Sequence, residues 1–196
     1  MNHGRLPWLG PGDLDEEQRA FYDVIASSPR AASVDTPLLD EVGRFHGPFN
    51  QMLTHPALGM ALDRLGHALR FPGSLPRAVF ESVVVTVASA RRAGYEWYAH
   101  APLARAAGVS AAQLTAVFNG DYEALAPTIG PATVQLVRDT LENRAPSAST
   151  VRAVEDAYGA SGVTEIVVAV SHYETIATLM RTWDAPMPDG VRDPFG

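Results

Sequence analysis

The sequence predicts an all-α protein, a helical bundle, on three observations. Apolar residues recur at helical spacing, Gly and Pro divide the chain into segments of helix length, and capping signals stand at segment starts. The 196 residues suit one domain: an N-terminal arm and extension over 1–55, a helical core over 56–182 and a proline-rich tail over 183–196.

Residues Met1 to Gly12 hold Gly4, Pro7, Gly10, Pro11 and Gly12, which break regular structure, with Trp8 and Leu9 as anchors of an ordered arm. Asp13-Leu-Asp-Glu-Glu-Gln then supplies a cap and an acidic first turn for a helix from about Asp15 to Ser27, with Phe21, Val24 and Ile25 on its apolar side. Ser28-Pro29 stops it, and Arg30 to Gly47 reads as irregular. After Phe49 to Leu53, a helix from about Pro56 to Leu69 places Leu58, Leu62, Leu65 and Leu69 in one stripe, which predicts one buried face.

Phe71-Pro-Gly-Ser is a break, and Pro76 suits the start of the next helix, where a missing N–H costs little. Arg77 to Ala93 is apolar on nearly all sides. Its Val83 to Val87 run suits a strand by local propensity, but about 17 residues without a breaker exceed the usual strand length and decide for helix. A helix from about Tyr95 to Ala107 ends at Gly108, and Ser110 with Gln113 forms a capping box for another that ends at Gly120. Helices of about Ala132 to Asn143, Ser147 to Tyr158 and Val163 to Arg181 follow. Glu165 precedes a valine-rich run much as Glu81 does, a faint internal echo.

Composition removes several chemistries. Cysteine is absent, so this chain has no disulfide, redox thiol or thiolate ligand. All 15 basic residues are arginine, so imine catalysis through a lysine amine is closed. A net charge of −7 gives no basic footprint for nucleic acid, and no apolar run approaches membrane-spanning length. The expectation is a cytoplasmic protein with a small-molecule partner, no nucleic acid and no membrane.

The sharpest local feature is Tyr95-Glu96-Trp97-Tyr98-Ala99-His100, which sets Glu96 and His100 at i and i+4 on one helix face. A carboxylate beside an imidazole can move a proton at neutral pH; the same spacing also suits an ion pair on a solvated helix. Glu81 lies on a helix that otherwise reads as buried and so needs a partner, either within a site or from Arg77 four residues back. Pro102, inside the Glu96–His100 helix, removes the N–H that would bond Tyr98 and should bend the turn. As metal ligands, Glu81, Glu96, His100 and His46 have only the weak spacing E-x-x-x-H, so no metal site is assigned and no cofactor is expected. His3, His55 and His67 look incidental.

The run Leu75-Pro-Arg77…Glu81, then Glu96-Trp97…His100, then Ala104…Ala107-Gly108-Val109 resembles the core signature of the carboxymuconolactone decarboxylase family. The Trp8-Leu9-Gly10 arm, the Gly43 to Phe49 stretch and Glu165 to Thr178 are similar to a longer group within it. The resemblance implies an alkylhydroperoxidase-D-like (AhpD-like) all-α fold built on an antiparallel helix hairpin, with protomers assembled as a homo-oligomer, trimer or hexamer. In the peroxidase branch a Cys-x-x-Cys pair precedes the histidine and a glutamate upstream relays protons. Counting back from His100, Glu81 falls on the relay position, while Ala93 and Glu96 fall on the cysteines, so thiol peroxidase chemistry is not carried over.

The other named branch decarboxylates a γ-lactone acid without a cofactor. By that resemblance His100 and Glu96 serve the proton step and Glu81 orients His100. Arg44 is the candidate carboxylate clamp, and His46, Trp97 and His172 are candidate substrate contacts. The expected function is therefore cofactor-independent acid–base chemistry on a small carboxylated or enolisable molecule, most simply decarboxylation. An isomerase, dehydratase or cyclase with the same site, and a non-catalytic small-molecule-binding oligomer, are the alternatives.

Overall fold

The computed structural model describes residues 2–28, 36–71 and 73–196. The expected stop at Pro29, the irregular stretch from Arg30 to Asp35, and Pro72 lie outside them. The protein is all-α, with a single two-stranded β-ribbon among the described residues. The helices are α1 (Glu16–Ala26), α2 (Phe49–Met52), α3 (Pro56–Arg70), α4 (Arg77–Ala90), α5 (Gly94–Ala106), α6 (Ala111–Phe118), α7 (Ala126–Ile129), α8 (Pro131–Leu141) and α9 (Ala148–Thr182). None of the described helices is long and apolar enough to cross a membrane. The chain divides into two compact units, one made of residues 1–65, 178–194 and 196, the other of residues 66–177 and 195.

In the first unit the arm is more regular than its glycines and prolines suggest. Asn2–His3 (β1) pairs antiparallel with Leu6–Pro7 (β2), turning at Gly4, whose φ of +67 falls in the left-handed region. A Cβ there would lie 2.1 Å from the carbonyl oxygen of Asp184, so only glycine admits the tail. Asp15 caps α1 by accepting from the Gln18 amide at 2.8 Å, while Gln18 accepts from the Asp15 amide at 3.1 Å. The buried face of α1 is Phe21, Tyr22 and Ile25; Val24 is exposed, contrary to expectation.

The stripe on α3 also departs from expectation. Leu69 is buried, but Leu58 and Leu65 are 58% and 38% exposed. The buried positions on this helix include Gly59 and Gly66. A Cβ on Gly59 would meet Met52 Cβ at 2.8 Å, so the helix is buried on its smallest residues, where backbone approaches backbone. Hydrophobic periodicity follows the large residues and misses a face closed by glycine.

In the second unit α4 is the central element, with every residue from Val79 to Ser89 buried. It packs on α5 through a three-residue connection closed by a Schellman arrangement. Ala93 N–H donates to Ala88 O at 2.8 Å and Arg92 N–H to Ser89 O at 3.0 Å. Arg92 takes the left-handed position usually held by glycine, at φ 50. Its guanidinium lies 5.4 Å from the Phe195 ring centroid, a contact that offsets part of the conformational cost. α5 remains helical through Pro102.

One apolar core joins α4, α8 and α9 around Phe80, Val84, Leu136, Ile166 and Val170, and a second joins α4 to α6 and α7 around Val85, Val117 and Leu125. The two helices expected after Ser147 form α9, continuous except at Gly159, whose φ of 72 and ψ of 171 are non-helical. The break therefore falls where the expected gap between Tyr158 and Val163 put it. Glu165 does not mirror Glu81. Its Oε2 accepts from Ser74 N at 2.7 Å and Ser74 Oγ at 2.9 Å, tying the approach to α4.

Candidate functional site

The α4–α5 hairpin sets Glu81 against His100. Both are buried, and His100 Nδ1 stands 2.8 Å from Glu81 Oε2. On the far side of the ring, Arg70 Nη2 lies 2.8 Å from His100 Nε2, and Arg70 Nε donates to the Tyr173 hydroxyl at 3.1 Å. Arginine can only donate, so Nε2 must accept, and the ring proton sits on Nδ1 and points at Glu81. Arg77 Nη2 stands 2.5 Å from Glu81 Oε1 as an i,i+4 ion pair. Glu81 thus has both partners that the sequence offered it, the arginine on its own helix and the histidine across the hairpin.

Glu96 occupies the first turn of α5, four residues before His100, and is 3% exposed. Neither of its carboxyl oxygens has a hydrogen-bond partner among the described residues. The pair is therefore not an exposed salt bridge, nor a bonded Glu96–His100 couple; the imidazole takes its carboxylate from Glu81 instead.

The charge states follow. Burial raises the Glu96 carboxyl well above its ordinary range, and the nearby Arg70 charge offsets only part of this, so the site favours the protonated form of Glu96. Burial lowers His100 below the ordinary histidine value; Glu81 opposes the shift, while Arg70 and Arg77 add to it, so the ring is neutral. Burial works to raise Glu81, but His100, Arg77 and Arg70 outweigh it and hold Glu81 ionised. The Tyr173 phenol, raised by burial against the pull of Arg70, keeps its proton. An imidazole, a carboxyl group whose protonated form is favoured, a phenol and a guanidinium are thereby gathered around the α4–α5 hairpin.

The remaining sequence candidates have other neighbours. Arg44 donates through Nε to Asp40 Oδ2 at 2.7 Å and lies 3.9 Å from the Trp8 ring centroid. These contacts fasten the arm, and the guanidinium that reaches His100 is that of Arg70. His46 is buried 5.5 Å from Trp8, ring to ring. Trp97 points into an aromatic cluster, edge-on to Phe118 at 5.2 Å and to Phe195 at 5.8 Å. His172 lies against Gly66 of α3, where a Cβ would come 3.1 Å from Nε2.

Arg70 and Tyr173 are the residues that sequence reasoning missed. The expected helix stopped at Leu69, one residue short of Arg70, and on α9 the choice fell on His172, one position and about 100° of helix from Tyr173. His3, which looks incidental in the sequence, is fully buried. Among the described residues no group of three or more His, Asp or Glu side chains is arranged to hold a metal ion.

Residues 56–129 match the model of the carboxymuconolactone decarboxylase family. The resemblance read from the sequence stands for that segment, and the all-α, alkylhydroperoxidase-D-like fold agrees with it. The matched segment contains Arg70, Arg77, Glu81, Glu96 and His100, while Tyr173 and the whole arm lie outside it. No curated protein and no solved structure matches the chain.

Proposed function

We propose that this chain is a cofactor-independent acid–base enzyme of the cytoplasm, acting on a small carboxylated or enolisable molecule, most simply as a decarboxylase of the carboxymuconolactone type. The observation that carries the reading is the buried His100 ring, its Nδ1 proton pinned by Glu81 at 2.8 Å, with the buried Glu96, whose surroundings favour its protonated form, four residues earlier on the same helix. In decarboxylation the bond to the departing carboxylate breaks, and its electron pair moves into the conjugated carbonyl system. A proton then closes the far carbon. Glu96 is suited to deliver that proton and is reprotonated from solvent after each turnover, while burial favours the loss of charge as CO₂ leaves; His100 Nε2 is suited to accept a proton where the reaction begins by removing one from carbon, as in an isomerisation or dehydration. The match of residues 56–129 to the family model supports the same reaction type.

The protein is incubated with carboxymuconolactone in D₂O, and CO₂ release and deuterium incorporation are followed together. His100→Ala and Glu96→Gln should each lower turnover by about 10²- to 10⁴-fold, the usual worth of a positioned acid or base. Unchanged turnover in either variant removes that residue from the mechanism. Deuterium uptake without CO₂ assigns the isomerase, dehydratase or cyclase alternative, and saturable binding with no product assigns a binding protein. The exposed Leu58 and Leu65 on α3 support association of protomers into the homo-oligomer that the resemblance implies.

A further inference from the structure

We infer that Arg70 is the carboxylate-binding residue of this site and that its contact with His100 is a mask: a ligand carboxylate that takes the guanidinium releases Nε2 for proton transfer. This deepens the acid–base reading and rests on it. The geometry runs from one fork of the guanidinium. Nε and Nη2 are neighbouring nitrogens on one carbon, and they are held by two neutral acceptors, the Tyr173 hydroxyl at 3.1 Å and His100 Nε2 at 2.8 Å.

A carboxylate presents two oxygens at the spacing of that same fork and carries a full charge. With guanidinium it forms the bidentate fork in which both partners are charged, whereas the bonds to Tyr173 and His100 carry charge on the donor side alone. Exchanging two neutral acceptors for one anion therefore favours the anion, and the exchange frees the lone pair that a general base needs. A neutral ligand offers no such gain and leaves His100 capped. The site would then work only on molecules that bring their own carboxylate, and the preference would be set by Arg70 rather than by Arg44.

One consequence concerns which carboxylate is held. A cation gripping a group that departs as neutral CO₂ would stabilise the starting state more than the transition state. Arg70 therefore suits a carboxylate that survives the reaction.

The test uses binding, not turnover. Protein carrying ¹⁵N-histidine is titrated with levulinate and with its neutral amide, levulinamide, and the His100 nitrogen signals are followed. Levulinate should bind at least about tenfold more tightly than the amide and move the Nε2 signal towards that of an uncapped nitrogen, while the Nδ1 signal stays that of a ring donating to Glu81. Arg70→Gln should abolish the preference for the acid, and Arg70→Lys should keep part of it. An unchanged Nδ1 signal and thermal melt show that each variant has kept its fold.

Equal binding of acid and amide, no binding of levulinate at millimolar concentration, or a preference that persists in Arg70→Gln overturns the assignment. So does a preference lost in Arg44→Gln but kept in Arg70→Gln, which returns the clamp to Arg44. Levulinate binding through Arg70 with an unmoved Nε2 signal overturns the unmasking. Because no step here requires catalysis, failure of proton transfer would appear separately, as turnover indifferent to His100→Ala with the binding preference intact.

Discussion

His100 in the second unit and His3 in the first are both buried, and burial lowers both below the ordinary histidine value. They differ in company. His100 has an ionised carboxylate on one nitrogen and a guanidinium on the other, so its ring is oriented at both ends. His3 has a neutral amide, Gln51, 3.2 Å from Nδ1, rings on its flank with Trp8 at 5.2 Å, and a like-charged neighbour in His46; its pKa falls to about 4. The orientation of Gln51 that satisfies its own donors turns its oxygen to His3 Nδ1, which makes that nitrogen the donor. One histidine has a charged partner on each nitrogen, and the other has surroundings that keep it neutral within the arm. Burial alone does not distinguish them; the charge placed beside each ring does.

The contrast breaks most visibly at Glu81. Glu81→Gln removes the charge that orients His100, and proton-transfer turnover should fall by about 10²-fold or more, whereas His3→Gln should leave turnover near the parent's. Equal losses in the two variants would show that both histidines serve the arm or both serve the site. Steady-state assay of the two variants decides it.

Next in size is acid sensitivity of the arm. His3 has a folded pKa near 4 against an ordinary 6.5, so between these values the unfolded arm binds the extra proton. Stability is therefore present above pH 6.5 and lost as pH falls towards 4, by up to about 3 kcal/mol. Chemical denaturation followed over that range should show the loss, and His3→Gln should flatten the dependence. The same pH dependence in His3→Gln as in the parent would overturn this account of His3.

Glu96 sharpens the comparison with the opposite sign. Its folded pKa is raised, so the stability linked to its proton is present below the unfolded carboxylate value of 4.5 and is lost as pH rises above it. Glu96→Gln keeps the shape and removes the titration. Thermal melts should coincide with the parent near pH 4 and exceed it increasingly towards pH 8, by on the order of 1–2 kcal/mol. A variant less stable than the parent at pH 8 would mean that Glu96 is ionised and partnered. The smallest effect is at the hairpin turn, where Arg92→Gly exchanges left-handed strain for the loss of the Phe195 contact. A net change within about 1 kcal/mol is expected from chemical denaturation.

Much of the fold was legible because its signals are local. Asp15 with Gln18 and Ser110 with Gln113 declare two helix starts, Gly108 declares an end, and the breaker-free run from Arg77 decides helix over strand on length. Where local signals mislead, the cause is packing at a distance. The leucine stripe of α3 is half exposed because Gly59 and Gly66 make the close approach, and the β1–β2 ribbon arises where Gly4 accommodates the Asp184 backbone.

For the candidate site, residue order alone supplies the inventory: no thiol, no lysine, and Glu81, Glu96 and His100 on consecutive helices. It also determined that Glu96 and His100 share a face, since i,i+4 spacing is a property of any helix. That His100 takes Glu81 rather than Glu96 as its carboxylate, that Glu96 is buried without a hydrogen-bond partner among the described residues, and that the arginine at the ring is Arg70 come from packing. Those outcomes depend on which side chains meet across elements 19, 30 and 103 residues apart. Their charge states depend on how much water the packing removes, and neither quantity is written in the spacing along one helix.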